Sequence, residues 1–551
     1  MPMLRGQMMD RQLMISSILV HAAQNHGERE IVSRLPDTGE IHRYGWRQCH
    51  ERSKRLANAL TSLKTKPGDR VATIAWNSHR HLELYYGVSG MGAVVHTVNP
   101  RLAPEQIAWM LDHAKAKHVF FDVTFAPIVE AIAKSCKTVK HWVAMTDEAH
   151  KPDMKTKVDV YETLIERASP DFEWPSFDEN TAAGLCYTSG TTGEPKGALY
   201  SHRSTVLHAM MSLSTDTIGA GSHGVIMPVV PMFHVNAWGV PYAAAMSGAK
   251  LVMPGAQMDG KSIQELIADE EVTHVLGVPT VWLGLLQYLR ESGTRIDSVE
   301  TVLMGGSAMP EALLRAYQDE YDVNMQQGWG MTEMSPLGTV GKLLPKHDDL
   351  TEDEKIAIKL KQGRLIYGVE MRIVDDGGNI LPRDGKASGH VQVRGPWIID
   401  SYYRGAGQEA FTEDGWFRTG DVGTIDQDGY MTITDRSKDV IKSGGEWISS
   451  IELENAAMGH PEVAMAAAVG MPHPKWQERP LLVIQPKPGT EPTRESIRDY
   501  LVQHVPKWWL PEGIEFIDEM PLGATGKILK TRLREIYKDY EFPDAQESEQ
   551  A

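Results

Sequence analysis

Thr188, Ser189, Gly190, Thr191, Thr192 and Gly193 follow one another without interruption, and Lys196 comes shortly after them in YTSGTTGEPKG, Tyr187 to Gly197. Glycines let backbone N–H groups approach an anion closely, hydroxyls donate further hydrogen bonds, and the ammonium adds charge. The combination suits a polyphosphate, with a plain polar loop as the alternative. It is not a G-x-x-x-x-G-K-[ST] loop, because Gly190 and Gly193 stand too close together and Gly197 follows Lys196. A second Gly/Lys fragment, PLGATGKILK, lies near the chain's end. There Pro521 replaces the first Gly and Ile528 the Ser/Thr that follows Lys527.

Other residues with ligand chemistry lie between these fragments. Glu333 closes QGWGMTE, where a solvated acid is the default reading of an isolated glutamate. Asp421 in RTGD, when ionised, can accept from two vicinal hydroxyls, and a surface salt bridge is the bland alternative. Trp329 can stack on a base or fill a core. In GGSAMP, Gly305 and Gly306 permit a ring to lie against backbone, as they would permit a strand-end turn. His234, in the apolar PMFHVNAWG, divides evenly between core and pocket roles.

Stretches such as VATIAW, GAVVHTVNP, HVFFD and HWVAM alternate with helical patterns from Val71 onward, and a second such series follows the Ser/Thr/Gly loop. This order predicts two β/α sheet subdomains, an α/β fold. After about Leu365 short strands and Gly turns, Asp376-Gly377 and Asp428-Gly429 among them, predict a small β-barrel or sandwich region. TEDEKIAIKLKQ opens with a capping box, Thr351 to Glu354, and so reads as a surface helix. From about Asp435 helices and strands mix again into a small α+β domain, in which Ile497, Tyr500, Leu501 and Val505 share one helix face.

A chain of 551 residues has room for more than one domain, and 42% hydrophobic with 23% charged residues is ordinary globular composition. The net charge of -17 argues against nucleic acid or anionic lipid as a partner. Cys49, Cys136 and Cys186 are too scattered for a disulfide framework or a zinc site, which fits a cytoplasmic protein. The N-terminal stretch lacks a cationic, apolar and small-residue cleavage layout and reads as an amphipathic helix. No apolar run is long enough for a transmembrane helix, so no integral membrane contact is expected.

YTSGTTGEPKGALYSH resembles the signature of the adenylate-forming superfamily, which includes acyl-CoA synthetases, luciferases and peptide-synthetase adenylation domains. PMFHVNAWG, GGSAMP, QGWGMTE, RTGD, DRSKDVIKSGGEWISSIELE and ATGKILK match further motifs of that family, in its order and over nearly the whole chain. The resemblance implies ATP and Mg²⁺ as cofactors, CoA as co-substrate and a small carboxylic acid as substrate. Thr188 through Gly193, Lys196, Gly305, Gly306, Ser307, Gly328, Trp329, Gly330, Met331, Thr332, Asp421, Arg436 and Lys527 then form the nucleotide site. Thr188 and Glu333 hold the metal, and both are implied in catalysis with His234 and Lys527. His234, Val235, Trp238, Gly305 and Gly330 line the acyl pocket. The large domain is implied over residues 1–437 and a mobile lid over 438–551, with the hinge at Lys438. Lys442, Ser443, Gly444, Gly445, Glu446 and Trp447 are implied in the CoA step. Both Gly/Lys fragments thus serve one nucleotide.

Within the superfamily the chain looks like a bacterial acyl-CoA ligase of the short- to medium-chain type. Its N-terminal stretch and GGEWISSIELE are most similar to the 3-methylmercaptopropionyl-CoA ligases of dimethylsulfoniopropionate breakdown. A general medium-chain ligase, and an adenylation enzyme that loads a carrier protein, are the alternatives. A nucleotide-binding regulator without turnover would not need Glu333, Lys438 and Lys527 together. A homodimer is expected by analogy with relatives.

Overall fold

The computed structural model describes residues 3–188, 195–436, 438–443, 446–523 and 527–542. A seven-stranded sheet runs in the order Val158–Val160, His141–Ala144, Ala116–Phe121, Arg70–Ile74, Val94–Thr97, Ala182–Tyr187 and Gly197–Ser201. Every pair in it is parallel except the last. Parallel strands buried on both faces read as continuous apolar runs, which is why those segments were legible. In the second sheet Lys250–Met253, Val225–Pro228, His274–Gly277, Thr301–Met304 and Asn324–Gly330 are parallel neighbours. The antiparallel strands Leu337–Val340, Gly363–Leu365, Tyr430–Arg436, Phe417–Ile425, Gly389–Arg394 and Glu370–Val374 continue from its end. A third, smaller sheet begins at Ile441–Ser443 and packs against the helices Ser450–Met458 and Arg494–Leu501 in a separate α+β domain.

Glu30–Arg34 pairs in parallel with Lys250–Met253, Ile31 opposite Leu251, so the chain's beginning closes the second sheet rather than the first. The N-terminal helix is Ile15–Asn25, with Ile15, Ile18, Leu19 and Ala22 buried. The capping box at Thr351 opens the helix Glu352–Lys359: the Thr351 hydroxyl accepts from the Glu354 N–H and the Glu354 carboxylate from the Thr351 N–H.

The helix His79–Gly90 is buried along its whole length although it carries Arg80 and Glu83. Each charge is paired: Arg52 Nε lies 2.7 Å from Glu83, and Arg80 lies 2.8 Å from Glu162 and 2.9 Å from Asp37. The Tyr161 hydroxyl donates to the second Glu83 oxygen at 2.7 Å. Such pairs add little net stability over apolar packing, but losing one partner strands a buried charge at a cost of about 3–5 kcal/mol. The helix is therefore fixed rigidly, and from it Tyr85 reaches into the candidate site.

Among the described residues no helix is long and apolar enough to cross a membrane. The three cysteines are buried and unpaired.

Candidate active site

The residues singled out in the sequence gather where strands of the second sheet end. Gly305 follows Thr301–Met304, Met331 follows Asn324–Gly330, and the segment to His234 follows Val225–Pro228. Loops at the carboxyl ends of parallel strands are where open α/β sheets place ligands. Asn77, from the first sheet's loops, ties the two sheets together here. Its amide donates to the carbonyls of Pro228 at 2.8 Å and Val230 at 2.9 Å, and its oxygen accepts from the Met232 N–H at 2.6 Å.

Beyond that anchor the chain makes a turn that L-residues avoid. Val235, Asn236, Ala237 and Trp238 all have positive φ, 46°, 53°, 47° and 56°. Left-handed helical backbone costs about 1–2 kcal/mol per non-glycine residue, so other contacts must hold it. The Tyr85 hydroxyl lies 2.5 Å from the Met232 carbonyl and 3.0 Å from Asn236 Oδ1, and the Cys186 thiol donates to the same amide oxygen at 3.4 Å. The turn sets the Trp238 ring against Gly305, where an added Cβ would lie 2.9 Å from it. His234, just before the turn, has its pKa lowered to about 4, by burial first and then by Lys527 and Arg101. It is a neutral imidazole at pH 7.

Asp421 and Arg436 are opposite each other across paired strands. Asp421 is 1% exposed; its Oδ2 accepts from Trp329 Nε1 at 3.0 Å. Arg436 Nε stands 2.7 Å from Oδ1, yet without the alignment of a hydrogen bond, so that oxygen remains an acceptor in search of a donor. Trp329 is 8% exposed and one part of its ring lies against Gly338. Glu333 is buried in the short turn Thr332–Met334, and its Oε1 accepts from the Tyr402 hydroxyl at 2.6 Å. Burial raises the Glu333 carboxyl above its ordinary value, with Arg436 opposing and Asp421 adding to the rise. Tyr200 fixes this turn through a 2.6 Å bond from its hydroxyl to the Thr332 carbonyl.

Thr188 and Lys196 close the mouth of the Ser/Thr/Gly loop: the Thr188 N–H donates to the Lys196 carbonyl at 2.8 Å, and the Lys196 N–H to the Thr188 hydroxyl at 3.3 Å. Tyr187 pairs with Gly197 across antiparallel strands, so a strand follows Lys196 where a Walker motif has a helix. Ser189, Gly190, Thr191, Thr192 and Gly193 lie outside the described residues. The Lys196 ammonium is 3.1 Å from Glu409 and over the Tyr402 ring.

Lys527 is the small domain's contribution. It keeps an open path to solvent, but it stands in a crowded cleft: the side chain passes 3.9 Å from where a Gly306 Cβ would be. Its pKa is lowered to about 8, first by desolvation and then by Arg436, against the raising pull of Asp421 and Glu333. Because the residue still meets water, the shift reflects the crowd of protein around the ammonium rather than full enclosure. The cleft thus joins Lys527, Glu333, Asp421, Arg436 and His234. Ser443, by contrast, is bound within the small domain, its hydroxyl accepting from Arg479 at 3.0 Å. Lys442 and Ser443 pair with Trp447 and Glu446 across a hairpin whose tip, Gly444 and Gly445, lies outside the described residues.

Sequence reasoning missed Tyr402, Tyr85 and Asn77. Each is an ordinary residue whose role exists only through a partner far along the chain, 69 positions away for Tyr402 and Glu333. No local pattern marks them.

Comparison with known proteins follows the same outline. Residues 19–403 match the AMP-binding enzyme family and residues 452–527 the AMP-binding enzyme C-terminal domain. A 3-methylmercaptopropionyl-CoA ligase of Ruegeria lacuscaerulensis is 50% identical over 97% of this chain and 99% of its own. A medium-chain-fatty-acid–CoA ligase of Ectopseudomonas oleovorans is 49% identical over 97% and 98%. A long-chain-fatty-acid–CoA ligase of Thermus thermophilus is 47% identical over 97% of each. Among solved structures, a fatty acyl CoA synthetase of Mycobacterium tuberculosis superposes with a TM-score of 0.72 at 29% identity, covering 96% of this chain and 99% of that one. With both family models matched in order along it and relatives this similar over nearly its whole length, the chain belongs to the AMP-binding, or adenylate-forming, enzymes.

Proposed function

We propose that the protein is an ATP-dependent acid–CoA ligase that forms an acyl adenylate and pyrophosphate, then transfers the acyl group to CoA. The observation that carries this reading is Lys527 of the small domain facing Glu333, Asp421 and Arg436 of the large one. A carboxylate is a poor acyl donor and must first attack the α-phosphorus of ATP. Negative charge grows there, and Lys527 neutralises it. The unsatisfied Asp421 oxygen takes the ribose hydroxyls, and Arg436 steadies that carboxylate. Gly305, Gly306, Ser307 and the strand through Gly328 to Gly330 flank the base, while Thr188, Lys196 and the loop between them take the phosphates.

Mg²⁺ fits the donors present. Glu333 is a buried carboxylate with one oxygen engaged by Tyr402, and Thr188 offers a hydroxyl, both hard oxygen ligands. When bound, the ion neutralises phosphate charge; the protein's part is to hold the two oxygens still.

For the second step the small domain, from residue 438 onward, turns about Lys438, withdraws Lys527 and brings Lys442 to Trp447 to the adenylate. Gly444 and Gly445, which carry no side chain, suit a thin pantetheine arm. A cytoplasmic setting suits the three unpaired thiols.

The substrate reading is a short- to medium-chain acid, with 3-methylmercaptopropionate first. Ligases for three different acids are almost equally similar to this chain, so identity does not choose among them. Trp238 favours the small end: the left-handed turn sets its bulky ring against Gly305, where the acyl pocket is proposed. Trp238→Gly is expected to widen chain-length tolerance, seen as a rise in kcat/KM for longer acids. Each methylene admitted is worth about 1–3 kcal/mol. An unchanged acid preference would remove Trp238 from the pocket.

The pH profile offers a further check. Lys527 is depressed to about 8, so its ammonium is present below that pH and lost above it. The kcat/KM for adenylation should therefore carry a descending limb near pH 8 that thioester formation from supplied acyl adenylate lacks. The reading as a whole is tested by pyrophosphate release across a panel of carboxylic acids, with and without CoA. Release with a short acid and thioester only with CoA is expected; transfer to a carrier protein in preference to CoA would favour the alternative adenylation enzyme.

A further inference from the structure

Contacts between the large domain's last strand and the small domain concentrate on one helix end. Asp435 is fully buried on Tyr430–Arg436, held to the large domain by its pairing with Val422. Its Oδ2 accepts from the backbone N–H of Ser450 at 2.7 Å, at the start of the helix Ser450–Met458. The Thr434 carbonyl accepts from the hydroxyl of Ser449, which caps that helix. Lys530 reaches the same place from the small domain's far end. Its ammonium donates to the Ser450 hydroxyl at 2.5 Å and lies 2.7 Å from Glu454 Oε1, which also accepts from the Ala468 N–H at 2.8 Å.

Lys530 opens the helix Lys530–Ile536, and Lys527 stands only one turn before it. Lys527 and Leu529, the residue before Lys530, are both tied back to one short stretch: the Gly523 N–H donates to the Lys527 carbonyl at 2.7 Å, and the Leu529 N–H to the Pro521 carbonyl at 2.8 Å. Wherever Lys530 is held, Lys527 is held too. We propose that Asp435, Ser450, Glu454 and Lys530 form a latch across the domain boundary that positions Lys527 for adenylation and must open before thioester formation. The inference rests on the two-step reading above. Ser450, Glu454 and Lys530 travel together with the small domain, whereas Asp435 stays on the large domain's ladder. Rotation about Lys438 therefore breaks the Asp435–Ser450 bond and leaves the rest of the cluster whole. A buried carboxylate accepting at a helix N-terminus is among the stronger hydrogen bonds, so its presence in one pose alone shifts the balance toward that pose.

None of these four residues is placed against ATP, acid or CoA, which makes them positioning residues. The test uses the full chain as Asp435→Asn, Lys530→Met and Lys530→Arg. The first half-reaction is read by ATP–pyrophosphate exchange, the second by thioester formation from supplied acyl adenylate and CoA. Asp435→Asn and Lys530→Met are expected to slow exchange by roughly tenfold to a hundredfold, the value of a charged hydrogen bond, and to leave the second half as fast as before or faster. Lys530→Arg should recover most of the exchange. Thermal melting checks folding; should Lys530→Met fail to fold, Asp435→Asn carries the test. Equal losses in both halves, or no loss of exchange, would overturn the latch. The unsubstituted chain must first perform both halves; failure there would sink the ligase reading instead.

Discussion

Lys527→Ala is expected to lose adenylation by on the order of a hundredfold to a thousandfold while leaving thioester formation from supplied acyl adenylate nearly intact. The asymmetry follows from where the ammonium stands. It shares a cleft with Asp421, Glu333 and Arg436, the proposed nucleotide site, and its side chain passes close to Gly306. Charge placed there stabilises an α-phosphate under attack and has nothing to stabilise once pyrophosphate has left. Stability should scarcely change, since Lys527 is open to solvent and, among the described residues, makes no ion pair that an alanine would break. Matching losses in the two half-reactions would instead make Lys527 a structural residue of the lid.

Glu333→Gln is expected to cut adenylation by about a hundredfold and to move its Mg²⁺ dependence to higher concentration, with melting temperature unchanged or raised. The stability half of this expectation comes from the direction of the carboxyl's shift. Burial raises the Glu333 pKa, so folding favours the protonated form; the benefit is complete below the unfolded-state pKa and is lost as pH rises through the folded one. At neutral pH the ionised side chain costs stability that an amide of the same shape does not, and Tyr402 can still donate to the amide oxygen. A variant that melted lower while keeping its Mg²⁺ response would make Glu333 a packing residue. A Mg²⁺ titration of pyrophosphate release, run beside thermal melts, separates the outcomes.

What was legible in advance depended on whether a role is written in neighbouring residues. The parallel strands were visible as apolar runs, and the capping box at Thr351 announced its helix. The Gly-rich and acidic motifs identified Gly305, Glu333, Asp421, Arg436 and Lys527, and folding brings them to one cleft. The pairing of Ile31 with Leu251 was not legible, because a strand pattern states a face and not a partner. Nor was the left-handed turn from Val235 to Trp238, whose non-glycine residues signal nothing of the kind. It exists because Tyr85, on the helix His79–Gly90, and Asn77, in the loop before that helix, over-determine the backbone. The latch at Asp435 was hidden for the same reason: its meaning lies in Ser450 and Lys530.

The central claim is that a carboxylate oxygen attacks the α-phosphorus of ATP while Lys527 covers it. Turnover of a short-chain acid labelled with ¹⁸O in its carboxyl group, followed by mass spectrometry of the nucleotide product, tests this most directly. The account predicts AMP carrying one labelled oxygen from the acid; ADP as product, or AMP without label, would contradict it.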